Sequence, residues 1–451
     1  MSTITETMFT RALPAAVLVI FAFALHAQSG SPQNAGDGRV EFTRWASRVA
    51  EQLPSDAIGA VTRPRARWIS RLTRNATVVG IGESAHDVHD FLALRTLVTR
   101  RLIEQGRVAA IVMETGFAEA GPIDAWLAGR SSAPPDLARQ LSFDFGREAE
   151  LAQIFHWLRT YNAQRTPDRR VHFYGADLPS DGGGSMQPAL VPVWSYLERV
   201  DPDQARHANT HIEPIAHALD TRGYDIVGRY GALAASSRDS LHHALDELAI
   251  GFAASRQQYV SRSSIAEFDW AQHLVEIARQ TEHALRIGWN DQSNPRDSAM
   301  AANIQWIAER EHGRGLIVVW AHNLHVARVP IGGPIFEERG PAVKSMGQYL
   351  QKNLGDRYVA IGTAFRTGGP DTARVPNALS VDAAMSSAHN PRFGIDLSRA
   401  PTRGPVATWL SQSHLMRAEN GYVAVRLREA FDALLFLDAI RPADHLNAGS
   451  G

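Results

Sequence analysis

Glu83 and His86, three residues apart in the stretch ATVVGIGESAH of residues 76–86, are the first pair in the chain whose types and spacing suggest chemistry. A carboxylate beside an imidazole holds one tautomer and raises its basicity, which makes a general base able to take a proton from water. The apolar residues Val78, Val79 and Ile81 ahead of them read as a buried strand, and ligands of α/β proteins bind outside the carboxyl ends of such strands. Other apolar runs deliver reactive groups in the same way. Residues 108–113 end in Glu114, 171–175 deliver Asp177, 316–320 run into His322 and His325, and 358–363 end on the hydroxyl of Thr363. If the strands are parallel and adjacent, these groups converge on one edge of a sheet. The second histidine and a glutamate could then supply a general acid or hold a leaving group or an oxyanion. Equally, His86, Glu114 and His322 form a workable ligand set for a divalent metal. Spacing alone does not choose between these chemistries.

Other residues and motifs narrow the field. Ser84 lies in Gly82-Glu-Ser-Ala-His86, which is not a G-x-S-x-G nucleophile elbow, since His86 stands where the second glycine belongs. The chain contains no H-E-x-x-H, no Walker loop and no dinucleotide-binding G-x-G-x-x-G. Arg95, one helical face along from Val88 and Phe91, suits either a salt bridge or a group aimed at the site. Asp177 suits either a turn or the site.

The elements that must position these groups follow from periodicity. Residues 88–104 carry Phe91, Leu94, Leu97, Val98 and Leu102 at helical spacing, and Gly106 ends the run. Strand, helix and strand from 77 to 113, with a carboxylate at each strand end, make a βαβ unit. Residues 40–53 read as an amphipathic helix, 186–287 as several helices almost without strand signal, and 347–354 as another helix. The apolar runs 422–425 and 433–437 are close enough for a hairpin at the sheet edge. The histidines of the helical section (His207, His211, His217, His242, His243, His273 and His283) lie among Arg and Glu and read as solvated. The fold class is therefore α/β, with a mostly parallel central sheet flanked by helices and an inserted helical cap. Its expected divisions are a signal peptide at 1–27, a linker at 28–39, core at 40–183, the cap at 184–290 and core again at 291–445.

Composition sets the outer limits. In 451 residues, 46 basic and 47 acidic side chains give a formal net charge of −1, so no bulk field favours nucleic acid or an anionic membrane. The absence of cysteine removes disulfides, thiol nucleophiles and thiolate metal sites. At the N-terminus Arg11 precedes the apolar run 12–25 and the sequence His-Ala-Gln-Ser-Gly. This is the order of a secretory signal peptide cleaved after Ala27, and the run is short of the roughly 20 residues that span a bilayer. A periplasmic or secreted protein, without a stable membrane span after cleavage, is expected.

Taken together, Gly82-Glu-Ser-Ala-His86, Phe91-Leu-Ala-Leu-Arg95, Val112-Met-Glu114, Phe173-Tyr-Gly-Ala-Asp177, Arg296-Asp-Ser-Ala-Met-Ala-Ala-Asn303, Val319-Trp-Ala-His-Asn-Leu-His325 and Met346-Gly347 resemble the erythromycin esterase family in order and spacing. The resemblance covers roughly residues 70–440. It implies hydrolysis of an ester or lactone, in macrolide esterases the macrolide ring, with His86 as the base that activates water and Glu83 orienting it. Glu114 and His322 would complete the catalytic set, and Arg95, His325 and Asp177 would serve substrate binding. No cofactor is required on this reading. A divalent metal on His86, Glu114 and His322 stays open, because the wider superfamily includes metal-dependent peptidase-like domains. That leaves a metal-dependent amide hydrolase as one alternative and a non-catalytic periplasmic binding protein as another. Asp87 departs from the glycine common in the family after His86, and Ala176 from a bulkier residue before Asp177.

Overall fold

The computed structural model describes residues 32–53, 67–179, 185–221, 223, 225–288, 291–334, 342–368 and 376–446. The expected signal peptide and its cleavage point lie outside the described residues, as do the first linker residues and the glycine break at 181–184.

Among the described residues ten strands are formed: β1 Glu51–Gln52, β2 Val78–Glu83, β3 Val108–Gly116, β4 His172–Asp177, β5 Leu316–His322, β6 Tyr358–Gly368, β7 Arg392–Asp396, β8 His414–Ala418, β9 Gly421–Val425 and β10 Ala433–Ile440. Eight of them make one sheet in the order β1-β7-β10-β6-β2-β5-β3-β4. The contiguous run β10-β6-β2-β5-β3-β4 is parallel throughout, and β7 alone opposes its neighbours. Every residue of β2, β3 and β5 is buried. Their continuous apolar runs without alternation follow from this, because helices cover both faces of the sheet. Val112, Tyr174, Ile317 and Val319 pack toward the cap helices, whereas Ile81, Ile111, Phe173 and Trp320 pack toward helices His89–Glu104 and Ala149–Ala163. The helical section from Gln187 to Ile287 shares one apolar cluster with the sheet, through Leu197, Leu245, Phe252 and Phe268. Among the described residues no helix is long and apolar enough to cross a membrane.

Three expectations are corrected. The N-terminal helix runs Pro32–Val49 and is followed by the two-residue β1, so the amphipathic stretch starts earlier and stops sooner than 40–53. Residues 422–425 and 433–437 do not pair: β9 forms its hairpin with β8, while β10 lies inside the main sheet between β6 and β7. Loop length cannot reveal that β10 has a distant parallel partner. His273 is not solvated but buried, its ring stacked on Trp306 at 4.1 Å.

One contact fixes how β2 meets the start of the helix after β5. A Cβ on Gly82 would lie 2.2 Å from Asn323 Oδ1, so only glycine allows the approach. Asn323 uses it to tie two strands, accepting from the Thr363 backbone N–H and donating to Ser84 Oγ and the Thr363 carbonyl. Gly82→Ala should therefore lower the unfolding free energy by about 1–3 kcal/mol, the usual cost of overpacking, as read from urea denaturation. An unchanged midpoint would contradict this packing.

Candidate active site

Parallel pairing places the strand ends side by side. Glu83 on β2 is in register with His322 on β5, and Gly116 on β3 is in register with Asp177 on β4. The register of β3 against β4 is irregular between Met113 and Gly116, where Glu114 sits. Thus Glu83, His86, Glu114, Asp177 and His322 come from four adjacent strands or the turns that follow them.

The deepest link is ionic. Arg95, from helix His89–Glu104, is 1% exposed and reaches Glu83 Oε2 at 2.8 Å while lying over the Trp320 ring. The other Glu83 oxygen stands 2.9 Å from His86 Nδ1. Arg95 therefore holds the carboxylate, and the carboxylate holds the ring. The ring lies in an aromatic corner, stacked against Phe143 and edge-on to Phe145. Among the described residues no partner is seen for Nε2, and the side chain is 29% exposed.

Burial disfavours charge on His86. The hydrogen bond and charge of Glu83, with the charges of Glu114 and Glu419, outweigh that and push its pKa up from 6.5 to about 9. The increase in basicity expected from the Glu/His pair is thus larger than a base poised for pH 7 would need. Only about one ring in a hundred is neutral at that pH.

A second network lies beside this one. Glu114 Oε2 accepts from the His322 backbone N–H at 2.8 Å, and Oε1 faces Arg296 at 3.0 Å and His325 Nε2 at 3.2 Å. Burial would raise the Glu114 pKa, but His325, His86 and Arg296 hold it well below the usual carboxylate range. Burial likewise opposes charge on His325, yet Asp297 and Glu114 push its pKa up to about 10. Asp177 is fully buried beneath Arg296, which it meets at 2.6 Å, and burial raises its pKa despite that cation.

These positions alter the roles expected of three residues. Arg95 and Asp177 offer no surface to a ligand: one supports Glu83, and the other holds Arg296. His325 has both ring nitrogens committed, to Asp297 and Glu114. Ser84 is fully buried, donating to the Thr363 carbonyl at 2.6 Å and accepting from Asn323, so its hydroxyl is engaged as well. Thr363 belongs to the same clasp.

The donor set expected for a metal does not fit one here. Both oxygens of Glu114 are taken by a backbone N–H and two cations. His322 Nδ1 accepts from the Leu324 N–H at 3.2 Å, and its Nε2 faces the Ser84 carbonyl at 3.0 Å. Neither residue can turn to an ion without breaking these bonds. Among the described residues, the group whose ligand atoms lie close enough together to hold an ion is His89, Glu150 and Asp444, none of which belongs to the expected set.

Several contributors were not legible as site residues. Arg296 and Asp297 open the helix Pro295–Arg310, which Asn294 caps through the Asp297 N–H. Their motif alone gives no direction for either side chain. Glu419, at the turn between β8 and β9, accepts from the His86 backbone N–H at 3.1 Å and lies 3.3 Å from His322 Nε2. Glu148, 2% exposed, is pushed up to about 8 by burial and the charge of Glu83. Asp87 takes a left-handed φ of 57°, a conformation in which aspartate is tolerated and glycine is at ease.

The sequence pattern described as "Erythromycin esterase" matches residues 103–440. The chain belongs to the erythromycin esterase family. Like its relatives it is a hydrolase of that family. Erythromycin esterase type II of Escherichia coli is 24% identical over an alignment of 396 residues that covers 82% of this chain and 91% of the relative. Among solved structures, a protein from Bacillus cereus aligns with a TM-score of 0.77 at 20% identity, covering 91% of this chain and 99% of its own. A mutant of the erythromycin esterase EreC in its open conformation aligns with a TM-score of 0.67 at 19% identity, over 84% of this chain and 94% of its own. At these identities the structural likeness establishes the fold.

Two outcomes are expected. In an NMR titration the His86 ring should titrate near pH 9, and Glu83→Gln should move it down by at least one unit, worth about 1.4 kcal/mol. A wild-type midpoint below 7.5 would contradict the network. The native pKa values of His86 and His325 lie above their unfolded value, so the folded chain holds more protons between pH 7 and 10. The unfolding free energy should therefore fall as pH rises through that window, by up to ~1.4 kcal/mol per pH unit for each group. Urea titrations across it check the sign.

Proposed function

We propose that this hydrolase cleaves an ester or lactone bond with a water activated by His86, and that Glu83 and Arg95 hold the base in place. The observation that carries the proposal is the His86 ring, tied through Nδ1 to a buried Glu83–Arg95 pair while its side chain stays 29% exposed and, among the described residues, no partner is seen for Nε2. As the water oxygen adds to the carbonyl carbon, its proton passes to Nε2. When the carbon–oxygen bond breaks, the same proton is delivered to the leaving alkoxide, which gives an acid and an alcohol. A macrolide lactone is the substrate suggested by the names of the relatives, and with it a place in antibiotic resistance. No metal takes part in this reading, because two of the three donors that would bind one, Glu114 and His322, are engaged.

The pattern Arg11, apolar 12–25 and Ala27 supports export to the periplasm or beyond. Mature protein from the periplasmic fraction should then begin at Gln28. An N-terminus at Met1 or Met8 in that fraction would remove cleavage after Ala27.

The decisive assay offers a panel of macrolides, aryl esters and peptides to the purified chain, with and without chelator. Ester or lactone cleavage that survives the chelator is expected, with a rate that climbs as pH rises toward about 9, since only neutral His86 can accept the proton. His86→Ala should lower kcat about 10²–10⁴-fold while the protein stays folded. A folded, active variant would overturn the role of His86, and chelator-sensitive peptide cleavage would favour the metal-dependent alternative.

A further inference from the structure

Residues 142–147 turn past the active site in a conformation that one of their side chains opposes. Phe143 and Asp144 are consecutive left-handed residues, with φ at 55° and 62°. Six non-glycine residues among the described ones have a positive φ, and the five besides Phe143 are Asp, Asn, His or Glu. Asparagine, aspartate and histidine are enriched in that region, whereas a bulky aromatic is a genuine outlier there. Such strain persists only where the surroundings impose it, and it collects at functional sites.

Here the surroundings do impose it. Ser142 is clasped to the end of β3: its backbone N–H donates to Thr115 Oγ1 at 2.9 Å, and its Oγ accepts from the Thr115 hydroxyl at 3.2 Å and from the Gly116 N–H at 3.3 Å. Beyond the turn, the Phe145 N–H donates to the Ser142 carbonyl at 3.0 Å and the Arg147 N–H to the Asp144 carbonyl at 2.8 Å. A Cβ on Gly146 would lie 2.0 Å from the Leu137 carbonyl oxygen, so the backbone is closely pressed on that side as well.

What this turn delivers is an aromatic ring. Phe143 lies nearly parallel to the His86 imidazole, with 9° between the planes and 5.8 Å between centroids, and Arg296 Cζ is 5.6 Å from the centre of the same ring. Phe145 meets both rings edge-on, His86 at 5.2 Å and Phe143 at 5.7 Å. The hydrogen bond from Nδ1 to Glu83 fixes one atom of the imidazole and leaves its plane free to rock about that atom. A flat neighbour removes this freedom. Positive charge within about 6 Å of an aromatic ring is also attracted to it, and a protonated His86 and Arg296 both fall in that range.

We infer that Phe143 is a positioning residue for His86, held in a strained turn so that its ring fixes the plane in which the imidazole meets a water. The water rests on the hydrolytic reading above; the fixed imidazole does not.

NMR titration of the His86 ring in the full chain is the test, alongside kcat and KM on whichever ester or lactone the wild type cleaves. Phe143→Leu keeps apolar bulk and loses the flat face. The His86 pKa should then fall by about half a unit, and kcat should drop about tenfold with little change in KM, as expected of a misplaced catalytic group. Phe143→Tyr, which retains the face, should keep both. Thermal melts establish folding, and Phe143→Met gives the same reading if the leucine variant does not fold. The strain has its own readout. Phe143→Gly should melt higher than Phe143→Ala, although glycine is ordinarily the more destabilising of the two, because the left-handed backbone suits it. A folded leucine variant with the wild-type His86 pKa, or a tyrosine variant that loses as much as leucine, overturns the positioning role. A glycine variant that melts no higher than the alanine variant overturns the strain. If the wild type cleaves no ester or lactone, the hydrolytic reading falls and the titration still decides the role of Phe143; cleavage by the wild type with no pKa shift in the leucine variant does the reverse.

Discussion

A buried ion pair between Arg95 and Glu83 underlies everything else at the site. Two charges are taken out of water at the end of β2, and such a pair seldom repays its desolvation in stability. Removing one member, however, leaves the other uncompensated, at a typical cost of 3–5 kcal/mol. The pair therefore favours a single arrangement strongly without making the fold unusually stable. Its product is orientation, because a glutamate pinned on one oxygen presents the other in one direction, and the His86 ring has to follow.

The second network serves the same end by different means. Arg296 spans Asp177 and Glu114, His325 spans Asp297 and Glu114, and Glu114 in turn holds the backbone of His322. Both chains of contacts terminate on a histidine, one through its ring and the other through its main chain. Acidic and basic groups alternate along each chain, so neighbouring charges compensate one another although nearly all are removed from solvent. The raised pKa values of His86 and His325 and the depressed one of Glu114 are two aspects of this alternation.

Much of the arrangement could be read from residue order. A continuous apolar run ending in a carboxylate or histidine marks a doubly covered parallel strand, and Glu83, Glu114, Asp177 and His322 all arrive in that way. Adjacency of those strands was a condition the sequence could state but not test, and the order β6-β2-β5-β3-β4 supplies it. What could not be read depends on direction or on distant pairing. Arg95 has helical spacing compatible with several environments, and only packing against Trp320 shows that it points down to Glu83. Glu419 carries no local mark, since a glutamate in a hairpin turn is ordinarily solvated. The mistaken pairing of 422–425 with 433–437 has a related cause: proximity along the chain favours a hairpin, yet β10 has its partners in β6 and β7.

The placement of β10 has a consequence for how the chain tolerates damage. This strand lies near the end of the sequence, yet it fills an interior slot of the sheet, parallel to β6 on one side and antiparallel to β7 on the other. A chain truncated before residue 433 would lose no surface appendage; it would split the sheet and leave two strands with unpaired backbone groups facing a gap. Such open edges recruit other chains. A premature stop codon late in the reading frame should thus yield aggregates or proteolytic debris, not a shortened enzyme with weaker activity.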